Sequence, residues 1–142
     1  MPLVGSRLSD FKLKAMLNDR FVDLELASFK DKWLVLFFYP ADFTFVCPTE
    51  LSELADLYPE FKKEGAEVVS VSTDTEFTHK AWHDSSPSII KIQFPMAADP
   101  TGNFCAGLGI YLPQDGLSLR GSFIVDPDGV LKSADIHDNS IG

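Results

Sequence analysis

In the stretch FFYPADFTFVCPTEL, residues 37–51, a threonine stands three positions before a cysteine and a proline follows the cysteine at once. If the apolar run ends near Pro40, Cys47 falls in a loop that feeds the next helix. Pro48 suits the first helical turn, where its missing N–H costs nothing, and Glu50 favours a helix start. A sulfur placed there meets unpaired N–H groups and the positive end of the helix dipole, and both favour thiolate over thiol. A free cysteine titrates near about 8.5, so only a few per cent is anionic at neutral pH; a value of about 6 makes the anion dominant. Such a cysteine is a prepared nucleophile. The competing reading is a small buried hydrophobe.

The tetrapeptide CPTE carries Glu50 where a dithiol exchanger has its second cysteine, so disulfide exchange within the motif is excluded. A single thiolate then needs an electrophile with a good leaving group. A peroxide provides one: attack on oxygen gives a sulfenic acid and releases water or an alcohol. That displacement calls for a donor on the peroxide oxygens and a cation for the departing charge. The Thr44 hydroxyl suits the first task. A guanidinium, always charged and forked, suits the second.

The elements that must position these groups follow from periodicity. FKLKAML and RFVDLEL, separated by ND, alternate as an N-terminal hairpin. KWLVLFFYP is a continuous apolar run of strand length, predicted central and buried on both faces. After Cys47 an apolar stripe of Leu51, Leu54, Ala55, Tyr58 and Phe61 predicts a helix. Pro59 is expected to kink or shorten it, and Gly65 to cap it. AEVVSVSTD returns as a second buried strand, so residues 33–73 read as a parallel strand–helix–strand unit. EFTHKAWHDSS is a further helix ended by Pro87, FPMAADP a short strand, and LRGSFIVDPDGVLKSADI two strands joined by a DPDG turn. A parallel unit followed by an antiparallel hairpin predicts an α/β thioredoxin fold, with a central mixed sheet flanked by helices.

The bulk properties agree. The 142 residues make one domain, 45% hydrophobic and 23% charged. Twelve basic against twenty-one acidic residues give a net charge of −9, which disfavours nucleic acid as a partner. No apolar run reaches membrane-helix length, the N-terminus lacks the pattern of a secretory signal, and two cysteines 58 positions apart do not read as a disulfide framework. The expectation is a cytoplasmic chain with reduced thiols.

PADFTFVCPTE resembles the active-site signature of the peroxiredoxins, P-x-x-x-T-x-x-C, with Pro40, Thr44 and Cys47 in register. VSVSTDTEFTHKAWH and ADPTGNF resemble the typical two-cysteine branch, of the bacterial alkyl hydroperoxide reductase type, and LSLRGSFIVDPDG resembles the segment that carries the family's active-site arginine. The similarity is collinear from about residue 8 to the last. It implies a thioredoxin fold of peroxiredoxin type, peroxidatic Cys47, Pro40 shielding the thiolate, Thr44 and Arg120 aligning the peroxide, and Glu50 orienting the arginine. It further implies hydrogen peroxide, small organic hydroperoxides and peroxynitrite as substrates. The implied electron donor is thioredoxin or a flavoprotein disulfide reductase; no metal or bound cofactor is implied. A homodimer or decamer is implied for the full-length chain.

The chain stops at HDNSIG, where such proteins continue into a final helix and the resolving cysteine. The expectation is therefore a single domain over residues 1–142, truncated before that segment, with turnover completed by a thiol from elsewhere. A non-catalytic, chaperone-like scaffold of the same fold is the alternative. No GGLG insertion precedes FPMAADP, and relative resistance to overoxidation is expected. Cys105, in NFCAGLG, reads as core. His79 and His83 have a metal-compatible spacing, but no third ligand is apparent and they read as a packed or solvated pair. DPDG lacks the remaining ligands of a calcium loop. Trp82 reads as lining the pocket or as a core anchor, the second favoured; Phe43 and Phe45, flanking Thr44, are placed at the pocket rim or a subunit contact.

Overall fold

The structure, a computed structural model, describes residues 4–43 and 47–138, with the backbone alone for Cys47 and Pro48. The N-terminal hairpin forms as its alternation predicts: β1 (Lys12–Leu17) pairs antiparallel with β2 (Arg20–Glu25), Leu17 opposite Arg20. Its two-residue turn places Asn18 at φ 48° and Asp19 at φ 66°. Asn and Asp tolerate that left-handed backbone, and such turns match strand twist. The hairpin is not an appendage, however. β1 also pairs with β5 (Met96–Ala98), a contact between distant segments that sequence alternation does not encode.

The apolar run forms β3 (Trp33–Phe38), α1 spans Cys47–Lys63, and β4 (Ala66–Ser72) returns parallel to β3. α2 (Glu76–Ser85) then leads into β5, which pairs parallel with β4. The short helix α3 (Asn103–Gly107) and a small ribbon, β6 (Tyr111–Leu112) with β7 (Leu117–Ser118), precede the antiparallel pair β8 (Arg120–Val125) and β9 (Leu131–His137). The resulting seven-stranded mixed sheet has the order β2-β1-β5-β4-β3-β8-β9. Its strands alternate between two apolar layers. Leu34, Leu36 and Phe38 join Phe11, Cys105, Leu108 and Phe123 on one face. Val35 and Phe37 lie with Leu51, Tyr58, Trp82 and Phe94 beneath α1 and α2 on the other.

The predicted stripe of α1 is the buried one: Leu51 and Tyr58 are core, with Leu54, Ala55 and Phe61 packed against them. The expectation at Pro59 is corrected in part, since the helix runs on for four residues beyond it. Packing of the stripe and a hydrogen bond from the Tyr58 hydroxyl to Glu67 on β4 hold that turn. Tertiary contacts of this kind outweigh the local loss of one N–H donor. Gly65, at φ 78°, then reverses the chain into β4 as a helix-terminating glycine should.

Gly102 admits no side chain. It sits at φ 76°, and a Cβ there would lie 2.4 Å from the Tyr111 ring. Gly102→Ala is expected to cost about 1–3 kcal/mol, from left-handed strain plus displacement of the ring. A urea midpoint unchanged from the parent would refute this.

Candidate active site

β3 and β8 run side by side, with Phe38 opposite Gly121. That register sets Arg120, the first residue of β8, beside the end of β3, where the chain leaves through buried Tyr39 and Pro40. The seam is closed by Ser118, whose hydroxyl donates to the Tyr39 carbonyl at 3.1 Å. α1 begins at Cys47, so Glu50 lies in its first turn. Across this gap Arg120 Nη1 donates to Glu50 Oε1 at 2.9 Å. The arginine side chain is 9% exposed and the glutamate 29%. A cation is thus fixed at the N-terminal end of α1 by residues seventy positions apart. Thr44 and Phe45 lie outside the described residues, as does the Cys47 side chain.

The loop from β3 towards α1 is held by a buried polar cluster that the sequence does not advertise. Tyr39 Oη donates to Asp42 Oδ1 at 2.5 Å, and His79 Nδ1 lies 2.6 Å from Asp42 Oδ2. His79 Nε2 donates to the Ala97 carbonyl at 2.8 Å. Both side chains of the Asp42–His79 pair are 0% exposed. The Asp42 backbone N–H donates to Asp74 Oδ2 at 2.7 Å, and the Ser72 hydroxyl donates to the same oxygen at 2.8 Å. Burial opposes charge on His79, but the adjoining carboxylate prevails, so its pKa is raised. Burial also raises that of Asp42, and burial with the neighbouring carboxylate raises that of Tyr39. One proton is therefore held tightly between Asp42 and His79. The loop ends, where described, at Phe43, which adopts φ 60°. An aromatic residue in the left-handed region is strained. Phe43 is exposed, with its ring 5.9 Å from that of buried Trp82, so Trp82 is a core anchor that also touches this loop.

His79 and His83 do not act as a pair. His79 is committed to Asp42, whereas His83 Nε2 donates to the Ile92 carbonyl at 3.1 Å. Two carboxylates, Asp19 and Asp84, approach His83 alone. Asp19 comes from the hairpin turn, too distant in sequence to be foreseen.

Residues 4–134 match the AhpC/TSA family. The chain belongs to that family. It is 47% identical, over 99% of its length and 75% of the relative's, to alkyl hydroperoxide reductase C of Pseudomonas aeruginosa. The protein of that name from Bacillus subtilis is 46% identical over 100% of this chain and 76% of its own. The crystal structure of Enterococcus faecalis AhpC is similar throughout, with a TM-score of 0.97 at 42% identity, covering 100% of this chain and 85% of that one. AhpC of Mycobacterium tuberculosis gives 0.92 at 28% identity, over 100% and 86%. The fold is the thioredoxin fold of peroxiredoxin type, and the AhpC/TSA chain is a peroxiredoxin-type thiol peroxidase, an antioxidant oxidoreductase that acts on a peroxide and draws on a reductant. None of its described helices is long and apolar enough to cross a membrane.

The second thiol of this AhpC/TSA chain lies elsewhere. Cys105 is buried on α3, donates to the Gly102 carbonyl at 3.4 Å, and has its backbone N–H bonded to Asp99 Oδ2 at 2.9 Å. Burial, reinforced by the Asp99 carboxylate, pushes this thiol up to about 12. At neutral pH it is protonated and a poor nucleophile, in keeping with its reading as core.

Proposed function

We propose that Cys47 is the peroxidatic thiol and that hydrogen peroxide and small organic hydroperoxides are its substrates. The observation that carries this reading is the Arg120–Glu50 pair at the N-terminal end of the helix that Cys47 opens. The Cys47 thiolate attacks one peroxide oxygen; an S–O bond forms and the O–O bond breaks. The electron pair leaves on the second oxygen, which takes a proton and departs as water or alcohol, and the sulfur is left as sulfenic acid. Arg120 offers a fixed charge to the peroxide and to the departing oxygen, and Thr44 supplies a second donor. Glu50 holds the guanidinium in one orientation, and buried Pro40 keeps water from the thiolate.

The reading extends to a cytoplasmic setting and a single domain spanning residues 1–142. Thioredoxin or a flavoprotein disulfide reductase returns the electrons through a resolving thiol. A homodimer is supported by β9, an exposed strand at the open edge of the sheet; dimers assembling into a decamer complete the proposal. The test is to expose the reduced protein to equimolar hydrogen peroxide with dimedone present and to map the adduct by mass spectrometry. A sulfenic-acid adduct on Cys47 and none on Cys105 is the expected result. An adduct on Cys105, or a Cys47 that reacts no faster than a free thiol, overturns the assignment and favours the scaffold reading.

A further inference from the structure

The C-terminal end of α2 gathers three metal-ligating side chains away from the Arg120–Glu50 site. His83 contributes an imidazole on a side chain that is 8% exposed. Its Nε2 faces the Ile92 carbonyl, which can only accept, so Nε2 carries the proton and the Nδ1 lone pair is the free donor atom. That Nδ1 is buried and has no hydrogen-bond partner among the described residues. It faces Asp84 Oδ1 at 3.7 Å and Asp19 Oδ1 at 4.0 Å. These distances are too long for hydrogen bonds. They are close to the spacing of neighbouring ligands on one ion: with metal–ligand bonds of about 2.0–2.2 Å, adjacent ligands stand roughly 3.0–3.5 Å apart. The three donor atoms all lie within 4.8 Å of one another.

We propose that Asp19, His83 and Asp84 form a binding site for a divalent first-row transition metal ion, which joins the β1–β2 turn to the end of α2. One imidazole with two carboxylates suits zinc and its neighbours better than magnesium or calcium, which favour all-oxygen sites. The end of a helix is also where a cation is favoured by the helix dipole. A cationic group already occupies this position: Lys80 Nζ lies 2.7 Å from Asp84 Oδ2 and 3.7 Å from Asp19 Oδ1. A dication takes over its electrostatic role, and the flexible lysine stem releases its ammonium to solvent. Lys80 is thus a competitor of the metal, which sets this site apart from a generic acidic patch.

The test is isothermal titration calorimetry with zinc sulfate on residues 1–142 carrying Cys47→Ser, so that the motif thiol cannot take the ion. One zinc per chain is expected. Asp19→Asn and Asp84→Asn should each weaken binding by at least about ten-fold, the loss seen even when a mere supporting group of a metal ligand is removed. Both positions are exposed, and Asn tolerates the left-handed turn at 19, so neither change threatens the fold. Lys80→Met should bind zinc several-fold more tightly. Because His83 is buried, its ligation is read directly, as a shift of its Nδ1 nitrogen resonance on adding zinc that is lost in Asp84→Asn. Failure of the parent to take up zinc, or equal affinity in the parent and both asparagine variants, overturns the proposal.

Discussion

Arg120→Met is expected to slow oxidation of the protein by hydrogen peroxide by about 10²–10³-fold, the scale on which one preorganised donor to a developing charge contributes. The methionine keeps much of the stem of a side chain that is 9% exposed, so the change removes charge and fork rather than volume. Arg120→Lys restores a charge but not the fork, and its flexible ammonium cannot meet Glu50 and a peroxide in one plane; partial recovery is expected. Glu50→Gln leaves the guanidinium in place but weakens its anchor, a 2.9 Å bond to a carboxylate that is 29% exposed. Its loss should be smaller and should fall on bulky hydroperoxides more than on hydrogen peroxide, since a misoriented fork is felt most where alignment matters. Stopped-flow tryptophan fluorescence reads all three, with urea midpoints as the control for folding. An Arg120→Met rate within about three-fold of the parent would be too small for a transition-state contact and would remove Arg120 from the proposed chemistry.

Why was the arginine legible and its geometry not? A lone nucleophile demands a cation near it, but that Arg120 supplies it and Glu50 orients it is what the family resemblance implies. Local order was legible too. The two-residue period of β1 and β2, the apolar run of β3 and the stripe of α1 each encode one element, and each element formed. What a single sequence hides is which elements meet. The β1–β5 pairing, the placement of β8 against β3, and the arrival of Asp19 at His83 all join distant segments. Pro59 shows the converse, a local penalty that tertiary packing absorbs. The strained backbone of Phe43 leaves no mark in the sequence, because nothing local favours it; the pinning of Asp42 on one side and the contact with Trp82 hold it in place.

The same pinning underlies the largest stability effect expected away from the thiol. Asp42→Asn and His79→Gln should each destabilise the fold by about 3–5 kcal/mol, since either leaves half of a fully buried ion pair without its partner. That is a large share of a domain stability of about 5–15 kcal/mol. The double variant should lose less than the two losses added, because the penalty lies in the unmatched charge; strict additivity in urea denaturation would show that the pair does not act as a unit. The pH dependence gives a second readout with a definite sign. The pKa of His79 is raised in the fold by Asp42, so the native state keeps a proton that the unfolded chain releases near about pH 6.5. This stabilisation is complete below that pH and is lost as the pH rises through the higher folded value, with a slope of at most about 1.4 kcal/mol per pH unit. In His79→Gln that slope should vanish. A parent protein whose stability rises with pH over this interval, or a variant that keeps the parent slope, would place the proton elsewhere. Because Asp42 also anchors the loop that runs on towards Thr44 and Cys47, the same variants should oxidise more slowly even where they remain folded, a loss that Arg120→Met should show with a smaller change in stability, since its partner Glu50 is 29% exposed.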